Sequence, residues 1–269
     1  MNSDLVPDDL WERIAPLIPP RPPRRHRFPG RKPIDDRTAL AGIVYVLRKG
    51  VSWADGPAER IGCSGVTCWR RLRDWTEAGV WTRLHEALLV ELRRAGLLDM
   101  DDCAIDGSHV RALKGGDHTG PSPVDRNRPG SKHHVIVDHH GTPLAISLTG
   151  GNRHDVTQLI PLLEAIPRIR GRLGRPRHKP KRLYADRGYD FRKHLRLLWA
   201  RGIVPKIARR GAPHGSGLGK TRWVVERTFA WLHQFKRLRI RYEIRADLHQ
   251  GLLQLACTII CLRRLRTAF

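Results

Sequence analysis

The most constraining feature of the sequence is a short apolar run that ends in an acid and a glycine, and this run occurs twice. Residues 103–110 read Cys-Ala-Ile-Asp-Gly-Ser-His-Val, with Asp106 at the end of the apolar part. Residues 182–190 repeat the pattern, with Leu183, Tyr184 and Ala185 leading into Asp186. Both runs predict short buried strands. Two such strands would hold two carboxylates side by side.

A third acid, Glu226, lies in a helical pattern in which Trp223, Phe229 and Ala230 recur at helical spacing. Two Asp on strands and a Glu on a helix can surround a pair of hard divalent cations. Mg²⁺ is coordinated octahedrally by oxygen ligands. Two such ions can stabilise the attacking and the leaving oxygen when a phosphodiester is cleaved. The catalytic and metal-binding candidates are therefore Asp106, Asp186 and Glu226.

Each acid alone also has an ordinary structural interpretation. Asp106 can cap the turn before Gly107, Asp186 can pair with Arg187 or a neighbouring arginine, and Glu226 can form a helical ion pair. The joint pattern favours catalysis. A zinc site is disfavoured, because the histidines lack metalloprotease or zinc-finger spacing and suit solvated or phosphate-contacting roles better. These histidines are His109, His133, His134, His139, His140 and His154.

The charge balance points to a polyanionic partner. The 269 residues include 50 Lys and Arg against 26 Asp and Glu, a formal net charge of +24. Nucleic acid is favoured over a membrane surface, although charge alone also fits a ribosomal or packaging protein. The longest apolar run, residues 252–262, is shorter than the roughly 20 residues that span a bilayer. We expect a cytoplasmic, nucleoid-associated protein, with its five cysteines as small core residues.

The first 98 residues predict helices around a basic arm. A helix is expected at residues 7–18, the Pro- and Arg-rich arm at residues 19–33, and a second helix from Asp35 or Asp36 to Gly50. A further helix capped by Ser64 suggests a helix-turn-helix in which residues 63–75 enter a major groove. The alternatives are a solvated linker for the arm and a plain helical bundle with a solvated Arg face. The predicted DNA contacts here are Arg24, Arg25, Arg31, Lys32, Arg70, Arg71 and Arg73.

After residue 98 the periodicity changes to strands. A polar loop at residues 114–132 precedes two β-rich runs that join at Gly141 as a hairpin, and βα units follow. This order predicts an α/β fold, a mixed sheet flanked by helices. We therefore expect a helical DNA-binding domain at residues 1–98 and a catalytic domain at residues 99–269.

These residues resemble the DDE transposases of bacterial insertion sequences, in the family-five group with a ribonuclease-H-like core. The resemblance covers nearly the whole chain and assigns the three catalytic acids to Asp106, Asp186 and Glu226. The matching blocks are residues 10–11, 31–33, 50–53 and 75–81 in the amino-terminal part, and residues 105–109, 151–155, 185–190 and 222–232 in the core.

The chain departs from the family's Tyr-Arg-Glu-Lys signature at two positions. Arg222 and Glu226 match, whereas the Tyr position is Gly219 and the Lys position is His233. Lys236 or Arg237, one turn further on, are candidate substitutes for the missing lysine. Arg222 is expected to bind a phosphate or to orient the carboxylate, or else to be a plain surface charge.

The resemblance implies a transposase that binds its element's terminal inverted repeats and then cleaves and transfers the ends with two Mg²⁺ or Mn²⁺ ions. The expected partners are double-stranded DNA, both element ends and target, and further copies of the chain in a dimer or higher oligomer. The alternatives are a catalytically inactive, domesticated DNA-binding regulator and a general metal-dependent nuclease. Should one of the three acids prove wrong, Asp190 and Glu243 are the next to consider.

Overall fold

A computed structural model describes residues 2–21, 23, 26–27, 30, 32–211 and 217–267, and it contains a mixed β-sheet with helices around it. The strands are β1 (Asp102–Ala112), β2 (Gly120–Pro121), β3 (Pro129–Val137), β4 (Pro143–Gly150), β5 (Arg182–Ala185), β6 (Val204–Ile207) and β7 (Ile240–Arg241). The helices are α1 (Asn2–Leu5), α2 (Asp8–Ile14), α3 (Asp36–Lys49), α4 (Ala58–Ile61), α5 (Gly65–Glu77), α6 (Val80–Arg94), α7 (Leu159–Glu164), α8 (Arg192–Ala200), α9 (Gly219–His233) and α10 (Ala246–Arg266).

The sheet has the strand order β4-β3-β1-β5-β6, with the two short strands β2 and β7 pairing to the ends of β3 and β1. Strands β1, β3 and β4 form an antiparallel meander, and β5 and β6 run parallel to β1. Helix α9 packs across β1, β3 and β5, and α7 and α8 connect the later strands. The predicted α/β fold class, a mixed sheet flanked by helices and preceded by a helical segment, is confirmed.

Helices α3 and α5 begin where the sequence predicts, whereas the helix predicted at residues 7–18 ends at Ile14 and continues as a 3-10 turn. The side chain of Asp35 accepts a hydrogen bond from the backbone N–H of Thr38 at the start of α3, and Gly50 ends that helix in a left-handed conformation. Ser64 caps α5 in the same way. Helix α4, a short turn and α5 follow one another in the order of a helix-turn-helix. Three predicted DNA contacts, Arg24, Arg25 and Arg31, lie outside the described residues.

One continuous hydrophobic core joins the helical segment to the sheet. Helix α10 is buried on nearly every side, because it packs against α5, α6 and α9 and against β4. Such a helix needs apolar residues all round, which its sequence supplies. The division at residue 98 remains a prediction, and the helical segment contributes to the same apolar core as the carboxyl-terminal helix.

The polar loop predicted for residues 114–132 is partly wrong. Strand β3 begins at Pro129, and β2 lies inside the predicted loop. The reason is the length of β1, whose distal residues need a partner: Arg111 pairs with Gly130 and Val110 with Ser131. Strand pairing overrides the polar character of the segment. No helix among the described residues has both the length and the apolar composition to cross a bilayer.

Three buried histidines make acid instability a testable property of this fold. His85 hydrogen-bonds to the carbonyl of Pro143 at 2.8 Å, and burial lowers its pKa to about 4. Burial likewise lowers the pKa of His134 to about 4 and that of His133 well below its usual value. Between pH 6.5 and 4 the unfolded chain therefore binds more protons than the folded chain. The free energy of unfolding should therefore decrease as the pH is lowered through this window, by about 2 kcal/mol per histidine at pH 5.

Urea unfolding at pH 7.5 and pH 5 measures this loss. His85→Gln keeps a hydrogen-bond donor for Pro143 and removes one titrating group, so the pH dependence should decrease by about one histidine's share. The exposed His178 is the matched control, because its replacement by Gln removes no buried group. Equal free energies of unfolding at the two pH values would contradict the prediction.

Candidate active site

The two aspartates lie where β1 and β5 diverge. The parallel register pairs Asp102 with Arg182, Cys103 with Leu183 and Ala104 with Tyr184. Extended by two residues, this register sets Asp106 opposite Asp186. Along this edge of β1, the next pairing among the described residues is at Arg111, where β7 pairs with it. The strands therefore open beside Asp106, and Asp186 follows directly at the end of β5.

Helix α9 brings the third acid to this opening through Arg222. The guanidinium of Arg222 donates to the Asp106 carboxylate at 2.8 Å and to Glu226 at 2.6 Å. Asp106 is 20% exposed at its side chain and Glu226 is 55% exposed. One cation thus joins the first and third acids, and the helical ion pair foreseen for Glu226 is part of the same arrangement.

Both aspartates also make the local turn contacts that the structural interpretation predicts. Asp106 accepts a hydrogen bond from the backbone N–H of Gly107, and Asp186 accepts one from Gly188, each at 2.8 Å. These bonds fix one oxygen of each carboxylate. A turn cap and a catalytic carboxylate are therefore compatible here, since the turn bond occupies only one oxygen of each carboxylate and the second oxygen of Asp106 accepts from Arg222.

The electrostatic environment of Asp106 is unusual for an aspartate. Burial, together with the charges of Asp186 and Asp155, raises its pKa to about 6 against the opposing effects of the Gly107 N–H and Arg222. Clustered carboxylates disfavour each other's ionised form. A buried acid near two other acids, with a single arginine beside it, is typical of a functional site.

A fourth acid, Asp155, approaches the sheet at Gly107. A Cβ atom on Gly107 would lie 2.6 Å from a carboxylate oxygen of Asp155, so only glycine leaves room for it. Lys132 donates to the same oxygen at 3.1 Å and is nearly buried. The Nδ1 atom of His134 lies 3.7 Å from it and has no hydrogen-bond partner among the described residues. Asp155 therefore links β3 to the strand that carries Asp106.

Tyr189 completes the polar surroundings from the β5 side. Its side chain is fully buried, and its hydroxyl has no hydrogen-bond partner among the residues that the structure describes. Burial raises its pKa well above the usual value, and the charges of Asp106, Asp155 and Asp186 act in the same direction. The charges of all three aspartates thus disfavour ionisation of the phenol.

The acids as they stand do not form a closed metal cage. No group of three or more His, Cys, Asp or Glu side chains within the described part of the chain is arranged to hold a metal ion. The guanidinium of Arg222 pairs with both Asp106 and Glu226 and neutralises part of their charge. The donor atoms are all carboxylate oxygens, which suit Mg²⁺ or Mn²⁺ rather than Zn²⁺. The donor chemistry therefore suits a hard divalent cation, while in this arrangement the Arg222 guanidinium occupies the space between Asp106 and Glu226.

The predicted DNA-contacting residues separate into exposed and buried groups. Arg71 pairs with Asp36 at 3.1 Å, and Arg73 pairs with Asp74 at 2.7 Å. Gly219 begins α9, and the ring of His233 packs near Phe229. Neither residue therefore replaces the Tyr or the Lys of the family signature. The exposed candidates are Lys32, Arg70 and Lys236.

Arg237 requires a correction, because it is buried and not on the surface. It is 4% exposed and donates two hydrogen bonds to Glu243, at 2.9 and 2.7 Å, and one to the carbonyl of Val51 at 2.8 Å. Glu243, the reserve candidate for a metal ligand, is thereby engaged inside the core. Asp190, the other reserve acid, accepts a hydrogen bond from the backbone of Arg210.

Sequence reasoning missed Asp155 and Tyr189. Both belong to blocks that carry the family resemblance. Asp155 is at the end of residues 151–155, and Tyr189 lies within residues 185–190. The available signal was a further acid after a β-rich run, since Asp155 lies five residues beyond the end of β4 and begins a short 3-10 turn.

Two family models match the chain. Residues 98–261 match the transposase DDE domain, and residues 6–85 match the putative transposase of the IS4/5 family. A putative transposase for insertion sequence element IS402 of Burkholderia cepacia is 62% identical over 150 residues, which cover 56% of this chain and 71% of that protein. The transposase for insertion sequence element IS1106 of Neisseria meningitidis serogroup B is 32% identical over 124 residues, covering 42% of this chain and 39% of that protein.

Among solved structures, the chain is similar to the Mos1 strand transfer complex, with 12% identity and a TM-score of 0.30. The match covers 92% of this chain and 81% of that one. The Mos1 mariner paired end complex with Mn matches with 11% identity and a TM-score of 0.28, covering 92% of this chain and 82% of that one.

Proposed function

Because this chain belongs to the DDE transposase family of insertion sequences, we propose that Asp106, Asp186 and Glu226 are the catalytic acids with which it catalyses DNA transposition. It binds the terminal inverted repeats of its own element, cleaves the DNA there and joins the freed ends to target DNA. Both reactions are phosphoryl transfers, in which positioning and charge stabilisation provide most of the rate.

The observation that carries this assignment is the shared cation. Arg222 hydrogen-bonds to Asp106 and Glu226 at once, and the β1–β5 register sets Asp186 beside Asp106. Two of the acids therefore share a single positive charge, and the register sets the third acid, Asp186, opposite Asp106. A pure turn cap or a surface ion pair would require no such arrangement, and it would not need the burial of Asp106.

The three carboxylates would hold Mg²⁺ or Mn²⁺, and we propose two ions. When bound, such ions stabilise negative charge on the attacking and leaving oxygens of the phosphodiester. The chain's own contribution is to orient the carboxylates: Gly107 and Gly188 fix one oxygen of each aspartate, and Asp155, itself anchored by Lys132, supports the strand from its other side. Arg222 is positioned to release the acids and to bind a phosphate oxygen.

DNA recognition is assigned to the basic helical segment. Helix α5 presents Arg70 to solvent, and Lys32 is exposed near the end of the Pro- and Arg-rich arm. Base contacts from the helix and phosphate contacts from the arm would together fix the position of the element end. Lys236, exposed just beyond α9, extends the phosphate-binding surface towards the acids. Because two ends must be held together, a dimer or higher oligomer on DNA is part of the proposal.

A strand-transfer assay with the full chain tests the proposal. Labelled duplexes that carry the inverted repeats flanking the gene are mixed with plasmid target, and scrambled duplexes of the same composition are the control. A transposase cuts the repeat duplex and joins it to the plasmid. A general nuclease would cut both duplexes without joining, and a DNA-binding regulator would bind the repeat without cutting it. Either of these results would replace the proposed function.

Metal dependence gives a separate prediction. Oxygen-only ligands should favour Mg²⁺ and Mn²⁺, whereas Ca²⁺, which is larger and less strict in geometry, should support DNA binding with little cleavage. Chelator should abolish cleavage and leave binding of the repeat measurable by gel shift. Cleavage that persists in chelator, or that returns only with Zn²⁺, would contradict the oxygen-ligand assignment.

A further inference from the structure

A strongly basic hairpin lies between α7 and β5, ahead of the strand that leads to Asp186. Residues 165–185 contain six Arg and two Lys and no Asp or Glu. Within this stretch the backbones of Ile169 and Arg177 exchange two hydrogen bonds, at 2.8 and 2.9 Å. We call residues 168–178 the arginine hairpin.

The base of the arginine hairpin is firmly attached. Ile169 is buried, and Arg93 of α6 donates to the carbonyl oxygens of Ile169 and Arg175. A Cβ atom on Gly171 would lie 2.6 Å from the carbonyl oxygen of Val90, so the chain passes directly against α6. The hairpin is therefore presented in a defined orientation.

Most of the positive charge on this segment is not neutralised by the protein. Asp101 pairs with Arg177 and Lys181, and Asp102 pairs with Arg182. For the remaining five cations, the described residues provide no ion pair with an acid. Unneutralised like charges repel one another, so a polyanion that binds here would gain free energy. These five are Arg168, Arg170, Arg172, Arg175 and Lys179.

The tip adds an apolar residue between the arginines. Leu173 is completely exposed, with a relative accessibility of 103%. It lies between Gly171 and Gly174, whose φ angles of 114° and 95° require glycine. No heavy atom lies within 4 Å of a Cβ built on Gly174. The loop thus holds a leucine outward, where it contributes nothing to the core, with Arg172 and Arg175 on either side.

We propose that the arginine hairpin binds the minor groove of double-stranded DNA, with its arginines in the groove and Leu173 against a base step. A single loop matches the roughly 6 Å width of the minor groove, whereas the 12 Å major groove suits a helix. Arginines attracted to a narrow groove and an apolar wedge between base pairs are the chemistry of minor-groove binding. The inference rests on the proposed function, because it takes duplex DNA as the ligand.

The hairpin contacts DNA away from the cleaved phosphodiester. Strand β5 separates Arg182, at the hairpin side, from Asp186 by four residues, which is about 13 Å at 3.3 Å per residue. At 3.4 Å per base pair, this distance corresponds to at least about four base pairs of duplex. The hairpin therefore holds a neighbouring segment of duplex and leaves the chemistry to the acids.

The test compares two double variants of the full chain. Arg172→Ala with Arg175→Ala removes two charges from the hairpin, and Lys193→Ala with Arg196→Ala removes two from the exposed face of α8. Fluorescence anisotropy is measured over a range of salt concentrations on an A·T-rich and a G·C-rich duplex of equal length. The hairpin variant should bind the A·T-rich duplex at least about tenfold more weakly, and its salt slope should decrease by about 2. The control should remain close to wild type.

Two further measurements address the groove and the wedge. Netropsin, which occupies the A·T minor groove, should displace the wild-type protein and have little effect on the residual binding of the hairpin variant. Leu173→Ala should reduce the preference for A·T-rich DNA without changing the salt slope, since it removes no charge. Loss of affinity without competition by netropsin would overturn the minor-groove assignment.

The outcomes separate this inference from the proposed function. If the wild-type protein cleaves and joins element ends while the hairpin variant binds DNA as the control does, the inference fails and the proposed function stands. If the wild-type protein binds neither duplex and cleaves no element end, both fail. Equal thermal midpoints of the two double variants show that the comparison is one of folded proteins.

Discussion

Asp106→Asn, Asp186→Asn and Glu226→Gln are each expected to reduce end cleavage and strand transfer by at least about a thousandfold while binding of the terminal repeat remains near wild type. Each substitution preserves the shape of the side chain and removes its negative charge. A residue that merely caps a turn tolerates this change, because an amide oxygen still accepts the hydrogen bond from Gly107 or Gly188. A residue that holds a divalent cation does not.

Asp190→Asn is the matched control for these three variants. Asp190 lies in the same block as Asp186, and it accepts a hydrogen bond from the backbone of Arg210. Cleavage by this control should stay within a few fold of wild type. Double and triple variants of the three acids should be scarcely worse than any single one, because residues that act as a unit are strongly non-additive. Near-normal cleavage by one of the three would remove that residue from the site.

Stability provides a second readout that separates the two roles of Asp106. Burial raises its pKa from 3.8 to about 6, so folding disfavours its charged form. At neutral pH this shift lowers the free energy of unfolding by about 3 kcal/mol. Asp106→Asn removes the cost and should leave the thermal midpoint unchanged or raise it, even though the ion pair with Arg222 is lost. Loss of activity with gain of stability is typical of residues selected for function.

Local chemistry made much of the fold predictable from the sequence. Asp35, Gly50 and Ser64 mark helix ends because their side chains or conformations satisfy backbone groups close in sequence. The acids at the ends of the two apolar runs were predictable for a similar reason, since strand and turn patterns extend over only a few residues. Asp106 and Asp186 are consequently adjacent in the structure, as expected.

Features set by distant contacts were not predictable in this way. The length of β1 depends on its pairing with β3, and the approach of Asp155 depends on the absence of a side chain at Gly107. Arg237 illustrates the same limit. Its neighbours in sequence, Lys236 and Arg239, are exposed and basic, so a charged surface was the natural interpretation, yet its partner Glu243 lies beyond the next turn and draws it into the core.

Glu243→Gln is expected to destabilise the protein by about 3 to 5 kcal/mol, because it leaves Arg237 buried without an opposite charge. Burial alone would raise the pKa of Glu243, but the hydrogen bond from His249 and the charge of Arg237 outweigh it and hold the pKa at about 2. His249 in turn contacts His133 of β3 at 2.8 Å. The network thus connects β3, α10 and, through the carbonyl of Val51, the helical segment.

Glu77→Gln is the matched control, since Glu77 forms an exposed ion pair with Arg245 at 2.9 Å that should contribute less than about 1 kcal/mol. Urea unfolding of both variants measures the difference. In a double-mutant cycle, Arg237→Met with Glu243→Gln should lose less than the sum of the single changes, because the second substitution removes the charge that the first leaves unpaired.

The same variants decide where Arg237 acts. If it contacted DNA, Arg237→Met would weaken binding of the terminal repeat and reduce the salt slope by about 1, with little effect on unfolding. From its position between Glu243, Val51 and the ring of Tyr242, the opposite result is expected: unchanged affinity per folded molecule at low temperature, together with a lower free energy of unfolding. The two outcomes differ in both measurements, so a destabilised variant cannot be mistaken for a DNA-binding defect.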